Sequence, residues 1–263
     1  MLELKNIKKT FYPGTVNEKK ALQGIDLTLD KGDFVTIIGS NGAGKSTLFN
    51  AISGNFRIDT GKVILDGKDI TSLPFHKRAY DIGRLFQDTL KGTAPSMTIE
   101  ENLAIAYTRK AKPSFFAVNK RDNAYFYELI KRLDIGLEER MKSKVGQLSG
   151  GQRQAITLLM ATISKPKLLL LDEHTAALDP ETAKKILNIT TELVEESNIT
   201  TMMITHDINA ALNIGNRTIM MDDGRIILDI KGEERKNMTV EKLLECYSKE
   251  SKKKLANDRM LFS

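Results

Sequence analysis

The sequence predicts an α/β fold, on three observations. Short apolar runs rich in leucine and β-branched residues recur along the chain, stretches with helical periodicity separate them, and one glycine-rich loop joins a run to a helix. The strand-like runs are Phe34–Ile38, Lys62–Leu65, Leu168–Leu171, Thr200–Ile204 and Arg217–Met221. Several are nearly all apolar, as in a parallel sheet covered on both faces.

The elements follow in order. LELKNIKKTFY and ALQGIDLTLD, in the first 30 residues, alternate as antiparallel strands do. Helical patterns occupy Lys45–Ile52, Pro180–Glu196 and Ile208–Ile214, and Pro180 suits the first turn of its helix. Residues 90–162 break the alternation, with few strand signals and helical stretches at Asn123–Leu133 and Gln152–Ile163. They read as a mostly helical subdomain inserted into the α/β core. MDDGRIILDI, near 221–230, reads as a late hairpin. Residues 1–242 are thus expected to form one domain, and 243–263 a short Lys-rich helix or tail.

Composition narrows the class. A chain of 263 residues that is 41% hydrophobic can bury a real core. A single cysteine, Cys246, allows no intrachain disulfide, which fits a reducing compartment. No stretch approaches 18 apolar residues, and MLELKNIKKT lacks the apolar core of a signal peptide, so a cytoplasmic protein is expected. The net charge is +6, and residues 105–145 hold ten Lys/Arg against five Asp/Glu. No aromatic RNA-binding signature or zinc-finger spacing accompanies that patch. It reads as a solvated helical face, with no nucleic-acid partner.

GSNGAGKST runs from Gly39 through Ser40, Asn41, Gly42, Ala43, Gly44, Lys45 and Ser46 to Thr47. It matches G-x-x-x-x-G-K-[ST], follows the apolar run FVTII and precedes the helical STLFNAIS. Glycines let the backbone wrap round phosphates, with amides and the helix dipole pointing inward. Lys45 would bridge the β- and γ-phosphates of ATP, and Ser46 would ligate Mg²⁺. LLLLDEHTAALDP, residues 168–180, then acquires a meaning. An apolar strand ending in an acid is how phosphate-loop enzymes hold magnesium, so Asp172 would bind the ion. Glu173, one residue beyond the strand, is placed to polarise the attacking water as general base. The plainer alternative is that both acids favour a helix N-terminus.

A phosphate loop does not name its reaction. FFAVNKRD, residues 115–122, resembles the guanine-reading N-K-x-D of GTPases. A GTPase also needs D-x-x-G between the two motifs, and this chain's only example, Asp229–Gly232, lies on the wrong side. Four further motifs decide the family: Gln87 in RLFQD, LSGGQ at Leu148–Gln152, ALD at Ala177–Asp179, and ITHD containing His206. Together and in this order they resemble the nucleotide-binding subunit of ABC transporters, over residues 2 to about 230.

The resemblance implies an ABC-type cassette: a RecA-like ATP-binding core, an antiparallel β subdomain and an inserted helical subdomain. Two cassettes would pack head to tail as a homodimer or pseudo-dimer. ATP would lie between the phosphate loop of one and Ser149, Gly150, Gly151 and Gln152 of the other. Phe11 would stack on adenine, with Tyr12 as the alternative register. Gln87 would sense Mg²⁺ and the attacking water, Asp179 would link the two sites, and His206 would hold the γ-phosphate and Glu173. The family most often has proline where this chain has His174, which affects the stiffness of the turn rather than any chemical role. A proton-shuttling His174 is the alternative.

The function so implied is the ATPase of a transporter attached to the cytoplasmic face of the membrane. Its permease would be a separate chain, and a solute-binding protein a further partner. GTAPSMTIEENLAIA, after Gln87, resembles the region that bacterial importers present to their permeases, so import of amino acids or similar small solutes is favoured. The alternative is a soluble ABC ATPase such as an iron–sulfur assembly factor. Chromosome-structure ATPases place long coiled coils between phosphate loop and signature, whereas about 100 residues separate Lys45 from Ser149 here.

Overall fold

The computed structural model describes residues 1–108 and 120–248. In chain order the elements are β1 (Leu2–Phe11), β2 (Lys19–Leu29), β3 (Phe34–Gly39), α1 (Lys45–Ser53), β4 (Thr60–Leu65), β5 (Lys68–Asp69), α2 (Phe75–Arg78), β6 (Ile82–Leu85) and α3 (Ile99–Thr108). Then follow α4 (Lys120–Arg132), α5 (Gly150–Thr162), β7 (Leu168–Asp172), α6 (Pro180–Ser197), β8 (Thr200–Ile204), α7 (Ile208–Asn213), β9 (Arg217–Asp222), β10 (Arg225–Lys231) and α8 (Gly232–Lys236). Residues 240–248 are also helical. The chain forms two compact units, one from Met1–Ser72 with the chain from Met203 onward, the other Leu73–Met202.

In the first unit, β2, β1, β4 and β5 make an antiparallel sheet in that order. Leu2 pairs with Leu29 and Leu65, and Leu4 with Leu27 and Val63, so the buried side chains fall on one face. The strand expected at Lys62–Leu65 is β4 of this sheet. Only Val63 and Leu65 are buried in it, the alternation of a sheet covered on one side. β3 is the parallel kind: Phe34–Ile38 are all buried, and it pairs in parallel with β9, Ile37 opposite Ile219. The expected hairpin joins β9 to β10 antiparallel. Its turn residues Asp223 and Gly224 both have positive φ (46° and 69°), the backbone of a tight hairpin loop. Residues 240–248 pack through Leu243, fully buried with Ile38, Ala211 and Met220.

In the second unit, β6 and β7 pair in parallel, Ile82 opposite Leu168 and Leu85 opposite Leu171. The strand IGRL is too short, and too interrupted by Gly83 and Arg84, to show in the sequence as a strand. Gly83 is required by packing, because a Cβ there would come 2.7 Å from the Ala161 carbonyl oxygen of α5. The helix expected at Asn123–Leu133 begins earlier, at Lys120. The one expected at Gln152–Ile163 begins at Gly150, because the capping box described below starts it there. Of FFAVNKRD, the run FFAVN and the lysine-rich tail beyond 248 lie outside the described residues, while Lys120–Asp122 open α4.

Candidate nucleotide site

The phosphate loop leaves the end of β3 and enters α1. A Cβ at Gly39 (φ 147°) would lie 2.1 Å from the Met221 carbonyl oxygen, and one at Gly44 (φ 99°) 2.6 Å from that of Ala21, so neither position admits a side chain. Gly44 is also the N-cap of α1, whose first turn carries no acidic residue. That helix end therefore offers its amides and its dipole to an anion. Lys45 is buried, and its Nζ donates to the carbonyl oxygens of Gly39 (2.8 Å) and Ser40 (3.0 Å). A cation held inside a glycine cradle beside a helix N-terminus fits a nucleotide triphosphate.

His206 follows β8 in the same unit, its turn held by Thr205 N donating to Ile37 O (3.1 Å) and by Asp207 capping α7 through Ala210 N (3.0 Å). Gly39, Ser40 and His206 line one cavity of about 180 Å³, together with Tyr247. The two aromatic candidates differ. Phe11 meets Phe56 edge-to-face at 5.5 Å, and Lys9 Nζ lies over both rings at 5.6 and 5.4 Å. Tyr12 is 69% exposed with φ 51°. Phe56 and Lys9 were not legible in the sequence, since nothing in their neighbourhood marks them.

In the second unit, Asp172 ends β7 with its side chain 11% exposed, 3.5 Å from Arg84 Nη2. Glu173 then turns out of the strand with φ 48°, an uncommon conformation for a non-glycine residue. Gln87 Nε2 donates to Glu173 Oε2 at 3.3 Å, so these two expected site residues do meet. Asp172 and Ser46 are hard oxygen donors of the kind Mg²⁺ takes.

LSGGQ starts α5 with a capping box: Ser149 Oγ accepts from Gln152 N (3.2 Å), and Gln152 Oε1 accepts from Ser149 N (3.3 Å). Gly151 is a packing glycine, since a Cβ there would meet Thr182 Cγ2 at 2.2 Å. Asp179 caps α6, accepting from Thr182 N (3.0 Å), with Pro180 in the first turn. Gly42, Asn41, Ala43, Thr47 and Gly150 sit in the loop and helix starts where the motifs put them.

His174 faces inward. It is 4% exposed, and its Nε2 lies 3.2 Å from Thr190 Oγ1. The Thr190 hydroxyl donates to Ile186 O (2.7 Å), so its oxygen is left to accept from Nε2–H of a neutral imidazole. Burial pushes the His174 pKa down from 6.5 to about 4. The sign follows directly. Above pH 6.5 both folded and unfolded chains are neutral here; as pH falls toward 4 the unfolded chain takes the proton first, so stability is lost across that window. Urea unfolding at pH 6.5 and pH 5 should show a pH-dependent loss about 1.5 kcal/mol smaller in His174→Leu than in the parent. Equal losses would mean that the imidazole is not buried neutral.

Three comparisons bear on this geometry. Residues 22–176 match the family model for the ABC transporter. The chain belongs to the ABC transporter family. Its cassette is 42% identical over 246 residues, 93% of this chain and 98% of the other, to the tyrosine transport ATP-binding protein of Clostridioides difficile (strain R20291). It is 34% identical to the phosphonates import ATP-binding protein of Lactobacillus johnsonii, covering 89% and 91% of the two chains. Among solved structures, the dimeric post-hydrolysis state of the ATP-binding cassette MJ0796 bound to ADP and Pi superposes with a TM-score of 0.77 at 31% identity, over 88% of this chain and 98% of that one. The ADP conformation of the cassette MJ1267 gives 0.76 at 32%, over 94% and 98%.

The chain is therefore an ATP-binding, ATP-hydrolysing subunit of an ABC transporter, with the P-loop cassette fold that the motifs implied. Nothing in these matches supports the iron–sulfur assembly alternative. Among the described residues no helix is long and apolar enough to cross a membrane.

Proposed function

We propose that this cassette drives import of a small solute through a separate permease, as a homodimer on the cytoplasmic face of the membrane, with a solute-binding protein delivering the cargo. The observation that carries this reading is the 42% identity, along nearly the whole of both chains, to a tyrosine transport ATP-binding protein. An aromatic amino acid is accordingly the first cargo to test. Residues 1–242 form the ABC-type domain, with the helical subdomain inserted at about 90–162.

The residue roles belong to the same proposal. Phe11, already fixed by Phe56 and Lys9, offers a ring to adenine. Lys45 and the loop amides hold the β- and γ-phosphates. Ser46, Gln87 and Asp172 would hold Mg²⁺, which would supply charge neutralisation on the phosphates, and Gln87 would orient the water and report to the partner subunits. Glu173 takes the water's proton at its carboxylate, and His206 steadies the γ-phosphate. Ser149, Gly150, Gly151 and Gln152 serve the site of the opposite cassette, to which Asp179 connects.

Replacing the chromosomal copy by Glu173→Gln and measuring uptake of labelled tyrosine and other amino acids tests the import reading. Uptake of one solute should fall to background, and affinity purification from detergent-solubilised membranes should recover a multi-span permease. If efflux of a solute changes while every uptake rate stays at the parental level, the cassette serves an exporter.

A further inference from the structure

We propose that Arg84 is a positioning residue for the metal at Asp172: its guanidinium holds the carboxylate in the metal-free cassette and yields it to Mg²⁺. This rests on the reading of Asp172 as the metal-holding carboxylate. β6 and β7 run parallel with Arg84 opposite Leu170, so a long side chain leaving Arg84 reaches the residue two places further along β7. It ends with Nη2 3.5 Å from Asp172 Oδ2, the two side chains only 6% and 11% exposed.

The surroundings fix the guanidinium. Its Cζ lies 4.7 Å from the centre of the Phe86 ring, within cation–π distance. The next residue, Gln87, donates to Glu173, so the ends of β6 and β7 are tied by two successive side-chain pairs, Arg84–Asp172 and Gln87–Glu173. A carboxylate this far from water is costly to bury unless a cation lies near it. The guanidinium supplies that cation when no metal is present. A contact of 3.5 Å is looser than a bidentate Arg–carboxylate clamp, so the carboxylate is held and remains exchangeable. Mg²⁺, with twice the charge and closer oxygen coordination, would displace the guanidinium from the carboxylate. Lysine would serve less well, being a point charge that neither forks nor stacks.

The test reads thermal unfolding of the full chain, with saturating ADP, against free Mg²⁺ concentration, in the parent, Arg84→Gln, Arg84→Lys and Asp172→Asn. Without Mg²⁺, Arg84→Gln should melt below the parent, because the charge of Arg84 beside a mostly buried carboxylate is gone. Added Mg²⁺ should raise its midpoint by more than it raises the parent's, with half the effect reached at a concentration about tenfold lower, since a competing charge is gone. Arg84→Lys, which keeps the charge and loses the planar guanidinium, should fall between, and it carries the test if Arg84→Gln does not fold. Arg84 variants responding to Mg²⁺ as the parent does, while Asp172→Asn loses the response, would overturn the role of Arg84 alone. An Asp172→Asn response equal to the parent's would instead remove the metal assignment on which that role rests.

Discussion

Lys45→Ala should weaken ATP binding by roughly 10²-fold or more, the loss expected when a charge-assisted contact to phosphate is removed from a desolvated site. The structure gives the reason. The Lys45 ammonium is already inside the cradle, donating to the Gly39 and Ser40 carbonyl oxygens, so little ordering is needed when phosphates arrive. Alanine leaves the glycine backbone and the α1 amides in place but removes the positive charge. Titration with a fluorescent ATP analogue measures the effect, and the thermal midpoint without nucleotide checks that the fold persists. Affinity within threefold of the parent would place the triphosphate elsewhere.

Glu173→Gln should lower turnover by about 10²–10⁴, the span of a general base, while ATP affinity stays within a few-fold. Glutamine keeps the shape and an acceptor oxygen for Gln87 Nε2, so the 3.3 Å contact and the left-handed turn after β7 survive. What is lost is the capacity to take a proton from water. Binding persists because Lys45 and the loop amides are untouched. ATP should then accumulate unhydrolysed, and gel filtration with ATP should show a dimer that the parent forms only transiently. Near-parental turnover would move the base away from Glu173.

The sequence announced the parts of the site whose chemistry lies in the backbone or in rare local patterns. Gly39 and Gly44 are where they are because no side chain fits, and a glycine spacing of that kind shows in sequence. Asp172 is legible because four buried leucines precede it. Less legible were contacts that the fold makes between distant segments. Phe56 meets Phe11 across 45 residues, and Arg84 meets Asp172 across 88, with nothing local to signal either. Lys62–Leu65 reads as a strand in the sequence, but three apolar residues after a lysine do not say whether one face or two are covered. His174, next to Glu173 in sequence, is instead buried against Thr190, a residue of α6 sixteen positions later that nothing local signals. LSGGQ carries two meanings at once. Its Ser149 and Gln152 cap α5 and its Gly151 lets α6 approach, so the motif has a structural reason within one chain whatever it does for a partner.

For a partner, LSGGQ would complete a nucleotide site shared by two copies of the chain. The direct measurement is ATPase activity after mixing Lys45→Ala protein with Ser149→Arg protein, each inactive alone. Losing the Ser149 cap costs about 1 kcal/mol of helix stability, which leaves the fold intact. Mixing should restore turnover, through one complete site in each heterodimer that pairs an intact Lys45 with an intact Ser149. If no mixing ratio restores activity while both proteins remain folded, the site is not shared head to tail between two chains.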